Sequence, residues 1–278
     1  MDYRTLMVQA EAGDDASGGV ELALGLAVQF DALLVGVAAR DLIPMMTVPG
    51  GSLAPGALLA AQEQDIQADL DATEQQFRAL AETRHVRTEW RSTIGDPVAF
   101  LVREARAADL LVLGRRPERG SVSWSRHADP GDVLMRAGRP VLIVPPGLST
   151  LDAERVVIAW KDGPEARRAV ADAMPFLTRA VSVLVLEVCD DAAEQALAAD
   201  AVRDVAAYLT RHGIAATGEA RLLREATVSA ELLLAAEQQG GELIVAGGYA
   251  HSRLRERVFG GLTRTLLGSF PKCCLLSR

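Results

Sequence analysis

The chain carries the same run of elements twice, and that repeat constrains its fold more than any single motif does. Arg4 to Ala10, residues 32–38, His85 to Thr93, Asp109 to Leu113 and residues 140–146 read as short strands separated by helix-period stretches. Arg155 to Trp160, Val181 to Val188, Ala216 to Leu222, Glu242 to Ala246 and Lys272 to Leu276 repeat that order, again with helices between them. One constant offset matches Arg4 to Arg155 and Val37 to Val188, and a shorter one matches Gly114 to Gly247. The surplus residues of the first half lie around the proline- and glycine-rich stretch from Asp41 to Gly56. Two units in register except for one loop predict duplicated domains, residues 1–147 and 151–278, rather than one large sheet. Pro145-Pro146-Gly147-Leu148-Ser149-Thr150 suits the linker between them.

Strands alternating with helices imply right-handed crossovers and a parallel sheet in each half. A composition 49% hydrophobic but only 4% aromatic fits aliphatic strands covered by helices on both faces. The formal charge of -8 argues against a general nucleic-acid binder, although a local basic loop can still hold one small anion. No apolar run approaches the roughly 20 residues that span a bilayer, and MDYRTLMVQAEAG lacks a signal-peptide pattern. The expectation is a cytoplasmic protein with neither nucleic acid nor membrane as partner. Cys189, Cys273 and Cys274 are odd in number and lack CxxC spacing, so neither a disulfide framework nor a zinc site is expected. There is no G-x4-G-K-[S/T] loop, G-x-S-x-G elbow or H-E-x-x-H helix, and His85, His127, His212 and His251 have no partner at ligand spacing. No catalytic residue and no metal ligand is assigned, and a binding protein is expected, with weak ATPase activity left open.

In doubly wound sheets a ligand lies beyond the carboxyl ends of the strands, where strand order reverses. In the second half this directs attention to Trp160-Lys161-Asp162-Gly163 and Gly247-Gly248-Tyr249-Ala250. Leu243 to Thr265 reads as a strand, a glycine turn, a polar loop and then Gly260-Gly261 opening a helix. Glycines at such points expose backbone N–H groups to an anion, although they also serve as ordinary punctuation. His251 and Arg253 are the loop cations nearest the turn, and an arginine fork matches phosphate oxygens. The alternation of Arg and Glu through Arg257 suits a solvated helical face as well.

A unit of this length ending in G-x2-G-x9-G-[S/T], followed by a helix, a proline and a terminal strand, resembles the universal stress protein domain. Here it is doubled, and the resemblance covers essentially the whole chain. It implies an α/β fold of two tandem Rossmann-like (adenine nucleotide α-hydrolase-like) domains. Each would be a five-stranded parallel sheet of order 3-2-1-4-5 flanked by helices, with nucleotide between strands 1 and 4. It further implies a stress-response protein whose C-terminal domain binds ATP or AMP, with or without magnesium, as a regulatory ligand. The alternative is a nucleotide-free, pseudo-dimeric scaffold for a protein partner.

Carried onto this sequence, the motif positions are Gly247, Ala250, Gly260 and Gly261, with Thr263 offering a hydroxyl to the phosphates. Trp160, Lys161, Val188, His251, Arg253 and Leu262 complete the implied site. Three departures stand out. Ala250 replaces a glycine, Gly261 replaces a hydroxyl residue, and Lys161 stands where an aspartate would hold the ribose. Lys161 would reach a phosphate or be a solvated charge. In the first half Gly114 precedes Arg115-Arg116-Pro117, and the held spacing falls on His127 and Ala128. A two-residue shift puts Asp129-Pro130-Gly131-Asp132 at the helix start, where two aspartates cap the helix and repel phosphate. With Glu11 in place of the ribose aspartate, this copy is expected to be degenerate and empty. The terminal strands PVLIV and KCCLL would pair with each other in one chain or with a second chain in a homodimer.

Overall fold

The computed structural model describes residues 2–11, 17–42, 55–115, 127–248 and 261–278. Its first half runs β1 (Thr5–Gln9), α1 (Ser17–Phe30), β2 (Leu33–Arg40), α2 (Pro55–Glu82), β3 (Thr88–Ile94), α3 (Pro97–Glu104), β4 (Leu110–Gly114), α4 (Pro130–Arg136) and β5 (Val141–Val144). The second half runs β6 (Arg155–Ala159), α5 (Pro164–Leu177), β7 (Ser182–Cys189), α6 (Ala192–Arg211), β8 (Ala216–Leu222), α7 (Val228–Gln239), β9 (Leu243–Gly247), α8 (Gly261–Gly268) and β10 (Cys273–Ser277).

The strands lie in the order β3-β2-β1-β4-β5-β10-β9-β6-β7-β8. Each half therefore has the order 3-2-1-4-5, all parallel within itself. The expectation of separate sheets is corrected at one place. β5 and β10 pair antiparallel within the chain, Leu142 opposite Leu275, and weld both halves into one ten-stranded sheet. The interior strands are mostly aliphatic because helices cover both faces, with buried Gln9, Arg40 and Glu187 near their carboxyl ends, and alternate residues enter opposite core layers. Leu6 and Val8 join one layer and Met7 the other; Cys273 and Leu275 divide from Cys274 and Leu276 in the same way. Burial pushes the Cys273 thiol up to about 12 and the Cys274 thiol up as well, so both are inert core residues. The edge strands β3 and β8 are only half-buried, which matches their mixed composition.

Helix starts follow capping chemistry. Asp96, Asp129 and Asp191 accept from first-turn N–H groups of α3, α4 and α6, and Thr227 does so for α7. Gly240 ends α7 in the left-handed conformation. Across the seam Tyr3 and Phe30 stack edge-on against Phe176, with ring centroids 5.6 and 5.2 Å apart, so one core layer runs through both halves.

The strand registers correct the internal alignment. Leu6 pairs with Leu110 and Val156 with Leu243, so Leu6 is equivalent to Val156 and Thr5, not Arg4, to Arg155. Gln9 pairs with Val37 and Ala159 with Leu186, which makes Leu186, not Val188, the counterpart of Val37. Unpatterned aliphatic runs slide freely against each other in sequence, whereas hydrogen-bond register fixes them. Glu11 and Lys161 then occupy equivalent positions just past the first strand of each half.

Asp172, beside the seam on α5, has its carboxyl raised by burial, with Ser277, Arg168 and Arg139 acting the other way. A raised carboxyl costs stability once pH exceeds the unfolded value near 4 and costs nothing in strong acid. Asp172→Asn is therefore expected to raise the melting midpoint at pH 7 by a few degrees, with the gain vanishing near pH 3. A lower midpoint at pH 7 in a thermal-melt series would contradict this.

Candidate functional site

A cleft of about 680 Å³ opens at the carboxyl edge of the second half. Its floor comes from strand ends, Ala159 at the end of β6 and Trp160 just past it, Leu186 and Val188 on β7, Ala246 and Gly247 on β9. Its walls are the first turns of four helices: Glu165 and Ala166 of α5, Glu194 of α6, Val228 and Ser229 of α7, and Gly261, Leu262 and Thr263 of α8. Helix N-termini carry partial positive charge and unsatisfied N–H groups, so four of them facing one cleft favour an anion there. Three of the four already hold an acid in the first turn: Glu165 in α5, Glu194 in α6 and Glu231 in α7. α8 holds none, and no described residue lies within 4 Å of where a Cβ on its Gly261 would stand. Among the four helix starts on the cleft, α8 is the one with no acid in its first turn.

The opposite wall is built around Lys161. Its Nζ donates to Glu194 Oε1 and lies 3.3 Å from Glu187 Oε1. Glu187 has a side chain only 7% exposed, and a carboxylate so buried requires a counter-ion, which the 57% exposed Lys161 supplies. Glu194 Oε2 also accepts from the Asp190 N–H at 2.9 Å. The Glu194 carboxylate, foremost, and Glu187 hold the lysine above its ordinary range, while Lys161 and then the Asp190 amide hold Glu194 below the usual carboxylate range. Lys161 is thus paired with two carboxylates while its side chain stays 57% exposed. With Glu165, Asp190 and Glu194 on the same lining, this wall is a set of hydrogen-bond acceptors beside one clamped ammonium. Such a wall suits sugar hydroxyls, which both donate and accept, better than phosphate.

Gly247 is needed for packing rather than for punctuation. A Cβ there would stand 2.7 Å from Ala166 N and 2.8 Å from Glu165 C, so α5 enters against β9 only because the side chain is absent. Gly248 donates its N–H to Ser277 O at 2.7 Å, and a Cβ on it would meet Leu134 of α4 at 2.7 Å.

At the equivalent place in the first half, among the described residues, an acid faces a histidine. Glu11 Oε1 and His127 Nδ1 lie 2.8 Å apart, with side chains 10% and 13% exposed, and bridge the end of β1 to the approach of α4. Asp129 accepts from the Gly131 and Asp132 N–H groups, which occupies the amides an anion would need.

Of the residues singled out in sequence, the structure brings Trp160, Lys161, Val188, Gly247, Gly261, Leu262 and Thr263 to one cleft. Ala250, His251, Arg253 and Gly260 lie outside the described residues. Sequence reasoning passed over Glu165, Asp190, Glu194, Thr227 and Ser229. One signal was present for Glu194. Asp191 followed three positions later by Glu194 is a capping-box spacing, which places the glutamate at a helix start on the carboxyl edge. Among the described residues no group of His, Cys, Asp and Glu is arranged to hold a metal, and no helix is long and apolar enough to cross a membrane.

A doubly wound α/β protein with paired strand-order switch points is the class this geometry defines. No family model and no curated protein matches the sequence. Solved structures do match along the full length. A universal stress protein from Archaeoglobus fulgidus superposes with TM-score 0.67 at 15% identity, covering 99% of this chain and 96% of that one. A candidate universal stress protein from Pseudomonas aeruginosa gives TM-score 0.62 at 12% identity over 99% and 93% of the two chains. A functionally unknown protein from the same species gives 0.61 at 12% over 99% and 92%. The chain has the universal stress protein fold in its tandem, two-half form.

Proposed function

We propose that this is a stress-response protein that binds an adenine nucleotide, ATP or AMP, in its second half as a regulatory ligand. Residues 1–147 and 151–278 act as its two domains, of which only the second holds a ligand. The observation that carries this reading is the α8 N-terminus, free of acid where the other three helix starts on the cleft hold one. Phosphates would lie against the amides of Gly261 and Leu262, with the Thr263 hydroxyl beneath. The sugar would face Lys161 and Glu194, and the base the apolar floor of Leu186, Val188 and Leu232. Isothermal titration of the full chain with ATP and with AMP is expected to give micromolar binding at one site. The absence of heat, together with an unmoved melting midpoint, would defeat the proposal.

The second reading is a nucleotide-free scaffold, and the observation favouring it is the excess of carboxylates on the Lys161 wall. Purified protein that carries no nucleotide and takes up none, while retaining a protein partner, would favour it. Turnover is not part of the proposal. Under the binding reading, ATP incubated with the protein and magnesium is recovered intact over hours.

A further inference from the structure

We infer that the first half, where Glu11 and His127 meet past β1, serves the second half's site through Arg115, a positioning residue for α8; this rests on the nucleotide reading above. Arg115 directly follows Gly114, the counterpart of Gly247, so its own counterpart is Gly248. The backbones confirm the equivalence: Arg115 N–H donates to Val144 O at 3.0 Å and Gly248 N–H to Ser277 O at 2.7 Å. Only the side chains differ, and they differ across the seam. A Cβ on Gly248 would stand 2.7 Å from Leu134 Cδ2 of α4, and the glycine itself projects no side chain there. Arg115 does project, and its Nη2 donates to the carbonyl of Phe270, two residues past the end of α8.

That contact sits at the carboxyl end of the helix whose amino end would meet the phosphates. A cation there complements the negative end of the helix dipole and fixes the helix along its axis. Phe270 is itself anchored, its N–H donating to Thr265 O at 2.9 Å and its ring buried in the layer containing Leu134, Leu266 and Cys274. The guanidinium is half-buried, its Nε has no hydrogen-bond partner, and no carboxylate lies within ion-pair distance of it among the described residues. Burial lowers its basicity. A charge placed so unfavourably for its own half is accounted for by what it holds in the other.

The test uses the full chain as wild type, Arg115→Met and Arg115→Lys, read by hydrogen exchange of the α8 peptide without ligand and by ATP titration. In Arg115→Met, α8 amides are expected to exchange about tenfold faster and ATP to bind about fivefold more weakly, with Arg115→Lys within about twofold of wild type in both. Exchange rising equally in β1, β6 and α8 would mark a merely structural role and overturn the inference, as would unchanged α8 exchange. A wild type without ATP affinity would overturn the nucleotide reading, and with it the claim that Arg115 serves a nucleotide site. The exchange arm would still decide whether Arg115 holds α8.

Discussion

Gly261→Asp is expected to abolish nucleotide binding while leaving the protein folded. The side chain meets no described residue, and a carboxylate at a helix start stabilises the helix by about 0.3–1 kcal/mol. The melting midpoint should hold or rise slightly. The same carboxylate satisfies or screens the amides that would meet phosphate and adds a negative charge within a few ångströms of it. Loss of charge-assisted hydrogen bonds plus that repulsion amounts to about 3 kcal/mol or more, at least a hundredfold in affinity. The first half carries a carboxylate at the corresponding helix start, with Asp129 capping α4 through the amides of Gly131 and Asp132. Titration and thermal melts on one preparation check both halves of the prediction. ATP affinity within threefold of wild type would place the phosphates elsewhere.

Gly247→Val is expected to damage stability and binding together. An added side chain meets Ala166 N and Glu165 C, which are backbone atoms of the first turn of α5 and cannot rotate away. Relief requires α5 to withdraw from β9, an overpacking strain of about 1–3 kcal/mol. That movement also carries Glu165 and Ala166 off the cleft lining, so affinity falls with the midpoint. The cost is steric and not conformational, because Gly247 is not among the glycines held at positive φ. Gly247→Ala should therefore follow the same direction with a smaller fall. A midpoint for Gly247→Val within one degree of wild type would show that β9 and α5 do not meet as described.

The fold was legible because interior parallel strands, buried on both faces, are written as unbroken aliphatic runs: TLMVQ, VLIV, LIVAG and CCLLS all read plainly. The same lack of alternation hid the register, so Arg4 could be set against Arg155 where hydrogen bonding places Thr5. The edge strand β3 begins at Thr88 rather than His85, because His85 turns at positive φ after α2 and a half-buried strand carries a weak pattern. Whether the last strands would pair inside one chain was open in sequence, since either partner presents the same aliphatic face.

The candidate site was half legible. Gly247, Gly261 and Trp160 follow from position at the strand-order switch. The role of Lys161 does not, because it depends on the burial of Glu187 and on Glu194 arriving from α6, thirty-three residues further along. The meeting of Glu11 and His127 in the first half is equally tertiary, arising from the convergence of β1 and the start of α4.

The central claim is that one chain holds two copies of a fold but one working nucleotide site, in the second half. Native mass spectrometry of the intact protein at saturating ATP measures this directly. The account predicts one ATP per chain in the wild type and none in Gly261→Asp. Two ATP per chain, or one that survives Gly261→Asp, would contradict it.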